Sequence, residues 1–190
     1  GTELLMRSLT KATELVDRFK LVAVDQSSDR RRSFDLALTI SEIVATLAPL
    51  YQKTPFVVQL DLAQGVMMDS FPGPLGQVLT NLLSNAIVHA FEGRDSGLIR
   101  VSSSLEGDGR VEIRFQDNGI GVPLNNQPRV FDPFFTTKLG RGGSGLGMNI
   151  VYNLVTNVLG GQINLQSTQG VGTTITIEIP LVAPIEVAGD

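Results

Sequence analysis

Three short clusters of residues stand out in this 190-residue chain as candidates for chemistry. The first contains Asn81 and Asn85, the second reads Asp-Asn-Gly-Ile-Gly at 117–121, and the third reads Gly-Ser-Gly-Leu-Gly at 143–147. A glycine-rich turn that leads into a helix exposes backbone N–H groups at the positive end of that helix, which suits a phosphate group. The third cluster therefore predicts contact with a phosphorylated ligand.

The third cluster does not have the spacing of the common nucleotide-binding loops. It lacks the Gly-x-x-x-x-Gly-Lys-Ser/Thr pattern of a Walker loop, and it does not directly follow a strand as a Rossmann fingerprint must. The first cluster is unusual because asparagine is a poor helix former in the middle of an apolar helix. Four polar side chains recur there at four-residue steps and so share one helix face: Gln77, Asn81, Asn85 and His89.

Composition excludes several classes of protein. With 42% hydrophobic and 18% charged residues, the chain is not disordered. A net charge of −4, with no basic run longer than three residues, argues against a general nucleic-acid surface. The absence of cysteine excludes disulfides, thiolate zinc sites and a cysteine nucleophile, and a single histidine excludes a multi-histidine metal centre. No stretch approaches the roughly 20 apolar residues that a membrane span needs, so we expect no direct membrane contact.

Hydrophobic periodicity predicts the elements that position the three clusters. Helical spacing predicts helices over 3–24, 40–51, 76–90 and 146–158. Strand-like composition and alternation predict strands over 33–36, 56–62, 66–70, 98–105, 110–116, 162–167 and 173–180. This order predicts an α+β fold in which a layer of helices covers one face of a sheet.

Local signals add detail to these elements. We expect Thr39 or Ser41 to cap the second helix. Strands 56–62 and 66–70 are expected to pair as a hairpin around the turn at Gln64, and strands 98–105 and 110–116 around a second turn. The long loop over 117–147 contains the second and third clusters, and a loop of this length is usually functional or mobile.

Together and in this order, the clusters resemble the boxes of the histidine-kinase-type ATP-binding domain, in the superfamily shared with gyrase, Hsp90 and MutL. The matching segments are the N box QVLTNLLSNAIVHA, the first glycine box DNGIGV, the F box VFDPFFTTK, the second glycine box GGSGLGMNIV and the last-strand motif GVGTTITIEIP. The resemblance implies the Bergerat fold, a two-layer α/β sandwich with a mixed, mostly antiparallel sheet under three helices. It also implies three parts: the end of a dimerisation and phosphoacceptor hairpin with its connector (1–32), the ATP-binding domain (33–182) and a tail (183–190).

The resemblance assigns the base-binding residues. It implies that Asp117 accepts a hydrogen bond from the adenine amino group, and that Thr173 supports the same edge of the base. Gly119 and Gly121 would let the backbone bend around the base. Because a buried carboxylate is costly unless it is bonded, such an Asp discriminates against nucleotides that lack the amine.

The resemblance also assigns the residues near the phosphates. Asn85 would be the Mg²⁺ ligand, with the phosphates of ATP completing the shell. The second glycine box would pass close to the phosphates through Gly143, Ser144, Gly145, Leu146 and Gly147. Many relatives have lysine or arginine three positions after the magnesium asparagine, whereas this chain has Val88. Lys138 and Arg141, on a segment expected to close over ATP, would then neutralise the phosphate charge.

Asn81 bears on the type of reaction. In hydrolases of this superfamily the residue four before the magnesium asparagine is a glutamate that activates water, and an amide cannot take that proton. We therefore expect slow hydrolysis and transfer of the γ-phosphoryl group to a histidine outside this chain. For His89, a structural or phosphate-side role and direct nucleotide contact both remain open. Three aromatic residues of the F box are expected to act as hydrophobic anchors of the closing segment: Phe131, Phe134 and Phe135.

The resemblance thus predicts the catalytic domain of a sensor histidine kinase. Its expected partners are ATP, the phosphoacceptor hairpin of the parent kinase and the receiver domain of a response regulator, and the parent is expected to be a homodimer. We expect a cytoplasmic location, whether or not the parent is anchored in the inner membrane. The alternatives are an ATPase or an anti-sigma-type serine kinase of the same superfamily, or a degenerate interaction domain without catalysis.

Overall fold

The structure is a computed structural model that describes residues 30–136 and 145–184. Its strands are β1 (Arg32–Asp35), β2 (Phe56–Leu62), β3 (Met67–Ser70), β4 (Gly97–Glu106), β5 (Arg110–Asp117), β6 (Gln162–Thr168) and β7 (Gly172–Pro180). Its helices are α1 (Leu36–Thr46), α2 (Ala48–Tyr51), α3 (Pro72–Asn85) and α4 (Gly147–Asn153). A π-helical turn continues α3 over Ala86–Ala90, another continues α4 over Leu154–Val158, and a 3₁₀ turn covers Gln127–Arg129. The helix predicted over 3–24 lies outside the described residues.

A five-stranded sheet in the order β2-β4-β5-β7-β6 forms one layer of the fold. Strand β2 pairs parallel with β4, and the other neighbours pair antiparallel. Alternate residues of the central strands, such as Ile99, Ile113 and Ile177, are buried under the helices. The predicted α+β fold with helices on one face of a mostly antiparallel sheet is therefore confirmed.

The hairpin predicted for strands 56–62 and 66–70 is wrong. Strand β2 joins β4, whereas β3 pairs antiparallel with β1 in a separate two-stranded sheet. The turn between β2 and β3 instead allows the Val66 carbonyl to accept a hydrogen bond from the Leu36 N–H at 2.9 Å. By contrast, the hairpins of β4 with β5 and of β6 with β7 form as their alternation predicts.

The predicted cap of the second helix is also wrong. Helix α1 begins at Leu36, and the Asp35 carboxylate accepts a hydrogen bond from the Leu38 N–H at 2.9 Å. Thr39 and Ser41 lie inside the helix, where the Ser41 hydroxyl donates to the Ala37 carbonyl. Aspartate is as good an N-cap as serine, so the earlier residue begins the helix.

Helix α3 begins four residues before the predicted position 76, at Pro72. Proline is tolerated in the first turn because the N–H that it lacks would have no helical partner there. The predicted helix over 146–158 matches α4 and its π-helical turn, and Gly160 ends it with a φ of +69°. Over 30–136 and 145–184, no helix is both long and apolar enough to cross a membrane.

Candidate functional site

The face of α3 that carries the two asparagines packs against the start of α4. Both side chains are half-buried, and the Asn81 amide nitrogen donates to the Gln77 carbonyl at 2.9 Å. A Cβ atom placed on Gly147 would lie 3.2 Å from Oδ1 of Asn81 and 3.7 Å from both amide atoms of Asn85. The structure therefore brings the first cluster and the last residue of the third together, with the Asn81 oxygen beside the backbone of Gly147.

The π-helical turn after Asn85 connects the asparagine face to the second cluster. The Ala90 carbonyl at its end accepts a hydrogen bond from the Ile120 N–H at 2.7 Å. A side chain at Gly119 would overlap the same carbonyl, so only glycine fits there. His89 lies within this turn and is half-buried.

Asp117 ends β5 directly opposite Thr173 of β7. Its carboxylate accepts hydrogen bonds from the backbone N–H of Gly119, at 2.9 Å, and from that of Thr173. Burial raises the pKa of the Asp117 carboxyl above its usual range, and the two hydrogen bonds and the charge of Arg94 oppose that shift. The strand pairing thus holds a largely desolvated acceptor between two backbone segments.

Gly121 closes the second cluster against the turn between β6 and β7. Its φ of +68° favours glycine, and a side chain there would overlap the Thr168 carbonyl. The Ser167 hydroxyl accepts a hydrogen bond from the Val122 N–H at 2.8 Å and lies 2.9 Å from Oγ1 of Thr173. No local pattern marks Ser167, because its hydrogen bond to Val122 joins segments that are distant along the chain.

Arg94 is a second residue that sequence reasoning missed. Its guanidinium donates to the Asn118 carbonyl at 2.7 Å and to the Gly170 carbonyl at 2.9 Å. Asn118 is fixed in turn, because its side-chain oxygen accepts a hydrogen bond from the Leu98 N–H at 2.7 Å. Arg94 belongs to no recognisable sequence motif, so only the folded structure reveals its contacts with Asn118 and Gly170.

The F-box aromatic residues have different environments. The Phe131 ring centroid lies 5.6 Å from that of Tyr152, and the Asn149 amide donates to the Phe131 carbonyl at 3.0 Å. Phe135 packs under the Arg129 guanidinium at 4.7 Å. Phe134 is 70% exposed, so the expectation that it is a hydrophobic anchor is wrong in this arrangement.

The backbone of the F box meets the second glycine box at Phe134. A side chain at Gly145, whose φ is +68°, would overlap the Phe134 backbone. Leu146 precedes α4, and its carbonyl accepts the Ile150 N–H at 2.9 Å. Four predicted site residues lie outside the described residues: Lys138, Arg141, Gly143 and Ser144.

The described residues thus place an amide-bearing helix face beside the start of a glycine-rich helix. Both lie on the sheet in which β5 ends at the half-buried Asp117. The sequence model of the histidine kinase-, DNA gyrase B-, and HSP90-like ATPases matches residues 72–183. The chain therefore belongs to this family, as its motifs predicted.

Curated relatives of the chain are sensor kinases. It is 32% identical over 171 residues to the sensor histidine kinase RcsC of Escherichia coli K12, covering 86% of this chain and 17% of RcsC. It is also 32% identical over 171 residues to the sensor-like histidine kinase SenX3 of Mycolicibacterium smegmatis, covering 88% of this chain and 43% of SenX3. The chain thus spans less than half the length of these relatives.

Solved structures of histidine kinases have a fold similar to that of this chain. The catalytic domain of the histidine kinase ThkA matches with a TM-score of 0.70 at 24% identity, covering 80% of this chain and 97% of that domain. Full-length ShkA in complex with AMPPNP matches with a TM-score of 0.69 at 23% identity, covering 93% of this chain and 36% of ShkA. At this level of identity the likeness confirms the predicted two-layer α/β architecture.

Proposed function

We propose that the chain is the ATP-binding catalytic domain of a sensor histidine kinase, which transfers the γ-phosphoryl group of ATP to a histidine elsewhere in the parent protein. The observation that carries this proposal is the convergence of Asn81, Asn85 and Gly147, with Asp117 at the end of the adjoining strand. Residues 33–182 would form this domain, 1–32 the end of the dimerisation hairpin and its connector, and 183–190 a tail.

Asp117 is suited to read the adenine amino group. An ionised carboxylate offers about four acceptor positions, and the backbone N–H groups of Gly119 and Thr173 use two of them. The remaining capacity matches a donor such as an exocyclic amine. A base that lacks the amine would leave a desolvated carboxylate short of a partner, which accounts for selectivity.

The asparagine face fits magnesium in the chemistry of its donors. Mg²⁺ prefers oxygen ligands, keeps several waters and takes few ligands from the protein, and Asn81 and Asn85 offer amide oxygens. We assign Asn85 as the ligand; bound Mg²⁺ would neutralise phosphate charge during transfer. The backbone of Gly147 lies beside both amides, where it would contact a phosphate. The rest of the second glycine box, with Lys138 and Arg141, would surround the phosphates.

Asn81 favours transfer over hydrolysis. An amide has no basic site at neutral pH, so Asn81 cannot activate water as a glutamate would. Its amide nitrogen is moreover already bonded to the Gln77 carbonyl. The phosphoryl group would therefore go to the histidine of the dimerisation hairpin in a homodimeric parent, and then to the receiver domain of a response regulator. His89 would support the phosphate side or contact the nucleotide.

Val88 is the one observation that favours a degenerate interaction domain. It stands where many relatives carry a cation, and its side chain is 42% exposed. A domain of that kind would bind ATP weakly or not at all. An ATPase or anti-sigma-type serine kinase of the same family is disfavoured by the amide at Asn81.

The substitution Asp117→Asn tests the adenine assignment. A carboxamide loses the charge, and one of its two terminal atoms is a donor that would face a backbone N–H or the adenine amine. We expect ATP affinity to fall about 100-fold, since hydrogen bonds to charged groups contribute about 1.5–3 kcal/mol. The matched control is Asp108→Asn, an exposed turn aspartate, which should bind as the wild type does. Wild-type affinity in Asp117→Asn, measured by calorimetry, would overturn the assignment.

A further inference from the structure

Arg94 connects the two backbone segments that surround Asp117. One segment is 118–121, which follows β5, and the other is the turn before β7 that contains Gly170. The guanidinium donates to one carbonyl in each segment, and these carbonyls lie 24 and 76 residues away along the chain. The planar, delocalised guanidinium presents its donors in a fixed fork, so it fixes the separation of the two carbonyls.

The backbone hydrogen bonds to Asp117 come from the first segment and from the strand that directly follows the second. The Gly119 N–H comes from the first segment, and the Thr173 N–H comes from the strand that follows the second. The segments are also in direct contact, because the Gly170 N–H donates to the Ile120 carbonyl at 2.7 Å. A change in their separation would therefore move at least one donor away from the carboxylate.

We propose that Arg94 is a positioning residue for adenine recognition: by bonding the carbonyls of Asn118 and Gly170, it keeps the Asp117 carboxylate oriented towards the base. This inference rests on the proposed function, because it requires Asp117 to contact adenine. In this proposal Arg94 touches neither base nor phosphate, and it acts on Asp117 through the two segments and through its charge.

The positive charge of Arg94 also favours adenine binding, in addition to its hydrogen bonds to the two segments. Asp117 is half-buried, which disfavours its ionised form, and the nearby positive charge of Arg94 favours that form. An ionised carboxylate accepts a stronger hydrogen bond from an amine than a neutral carboxyl does. Loss of Arg94 would thus weaken adenine binding both by displacing the acceptor and by making it less charged.

The test compares Arg94→Met, which removes both bonds and the charge, with Arg94→Lys, which keeps the charge but not the fork. Arg100→Met is the matched control, because Arg100 is exposed on β4. Calorimetry would measure binding of ADP and of inosine diphosphate, whose base has a carbonyl in place of the amine. Thermal unfolding would be followed for each variant.

We expect Arg94→Met to bind ADP about 10-fold more weakly than the wild type, with inosine diphosphate little affected, so that the preference for adenine narrows. Arg94→Lys should lie between, and Arg100→Met should match the wild type. The proposal is overturned if Arg94→Met weakens the binding of ADP and of inosine diphosphate by the same factor, or if neither Arg94 variant changes the preference for ADP over inosine diphosphate. Should Arg94→Met fail to fold, the ratio of the two affinities in Arg94→Lys decides. A wild-type chain without preference for ADP would instead overturn the proposed function itself.

Discussion

Gly147→Ala should weaken nucleotide binding while it changes the stability of the fold only slightly. The substitution adds one methyl group at the first residue of α4, where the backbone φ is compatible with alanine. Alanine in place of glycine stabilises a helix interior by about 0.8–1.0 kcal/mol, and less at the first position. Against this gain, the methyl would lie 3.2 Å from Oδ1 of Asn81, which must move by a few tenths of an ångström.

The two effects on stability oppose each other, so the free energy of unfolding should change by less than about 1 kcal/mol. For a domain of this size that corresponds to a melting temperature within about 4 °C of the wild type. Binding should respond more strongly, because the methyl occupies space beside both amides. We expect affinity for ATP with Mg²⁺ to fall at least about 10-fold, and the enhancement by Mg²⁺ to shrink.

Gly76→Ala is the matched control for this experiment. Gly76 lies within α3, and a Cβ there would be 3.6 Å from Cδ1 of Ile43, an ordinary van der Waals contact. The same change should therefore raise the melting temperature by about 2–4 °C and leave nucleotide affinity unchanged. If calorimetry showed that Gly147→Ala binds ATP with wild-type affinity and wild-type dependence on Mg²⁺, Gly147 would not lie at the nucleotide site.

Three further predictions concern single residues. Because burial raises the pKa of Asp117 above its usual 3.8, ADP affinity should decline as the pH falls through that raised value. The unliganded chain should gain stability over the same pH range, because the folded state binds the proton more tightly than the unfolded state does. Titrations with ADP at a series of pH values check this, and an affinity that stays constant down to the ordinary aspartate range would contradict it. Asn85→Ala should abolish the dependence of ATP binding on Mg²⁺ but keep binding of adenosine, as titrations with and without the metal would show; an unchanged metal effect counts against Asn85 as ligand. Asp35→Ala removes the cap of α1 and should lower the free energy of unfolding by about 1 kcal/mol, measured by chemical denaturation, without altering nucleotide affinity. A decrease of less than a few tenths of a kcal/mol would mean that the Leu38 N–H finds another acceptor.

Local patterns predicted those parts of the fold that depend on neighbours along the chain. The hairpin of β4 and β5 follows from alternation around a glycine-containing turn, and the structure confirms it. The pairing of β2 could not be predicted in the same way, because its partner β4 lies beyond a helix and contributes nothing to the local pattern. The cap of α1 was misplaced because Asp35, Thr39 and Ser41 are all good capping residues, and only the burial of Leu36 decides between them.

The same distinction applies to the candidate site. Asn81, Asn85 and Asp117 stand in motifs whose residue types indicate their chemistry, so the sequence was sufficient to single them out. Arg94 and Ser167 act through backbone groups of distant segments, and any arginine or serine in a turn has the same local signature. The π-helical turn, whose Ala90 carbonyl accepts the Ile120 N–H, likewise leaves no trace in the hydrophobic spacing of the sequence.

Calorimetric titration of the wild-type chain with ATP, ADP and GTP, with and without Mg²⁺, would show whether the chain has a selective adenine-nucleotide site. We expect both adenine nucleotides to bind in preference to GTP, and ATP to bind more strongly when Mg²⁺ is present. Equal affinity for ATP and GTP would contradict the role of Asp117. Absence of binding at millimolar ATP would contradict the nucleotide site as a whole and favour the degenerate interaction domain.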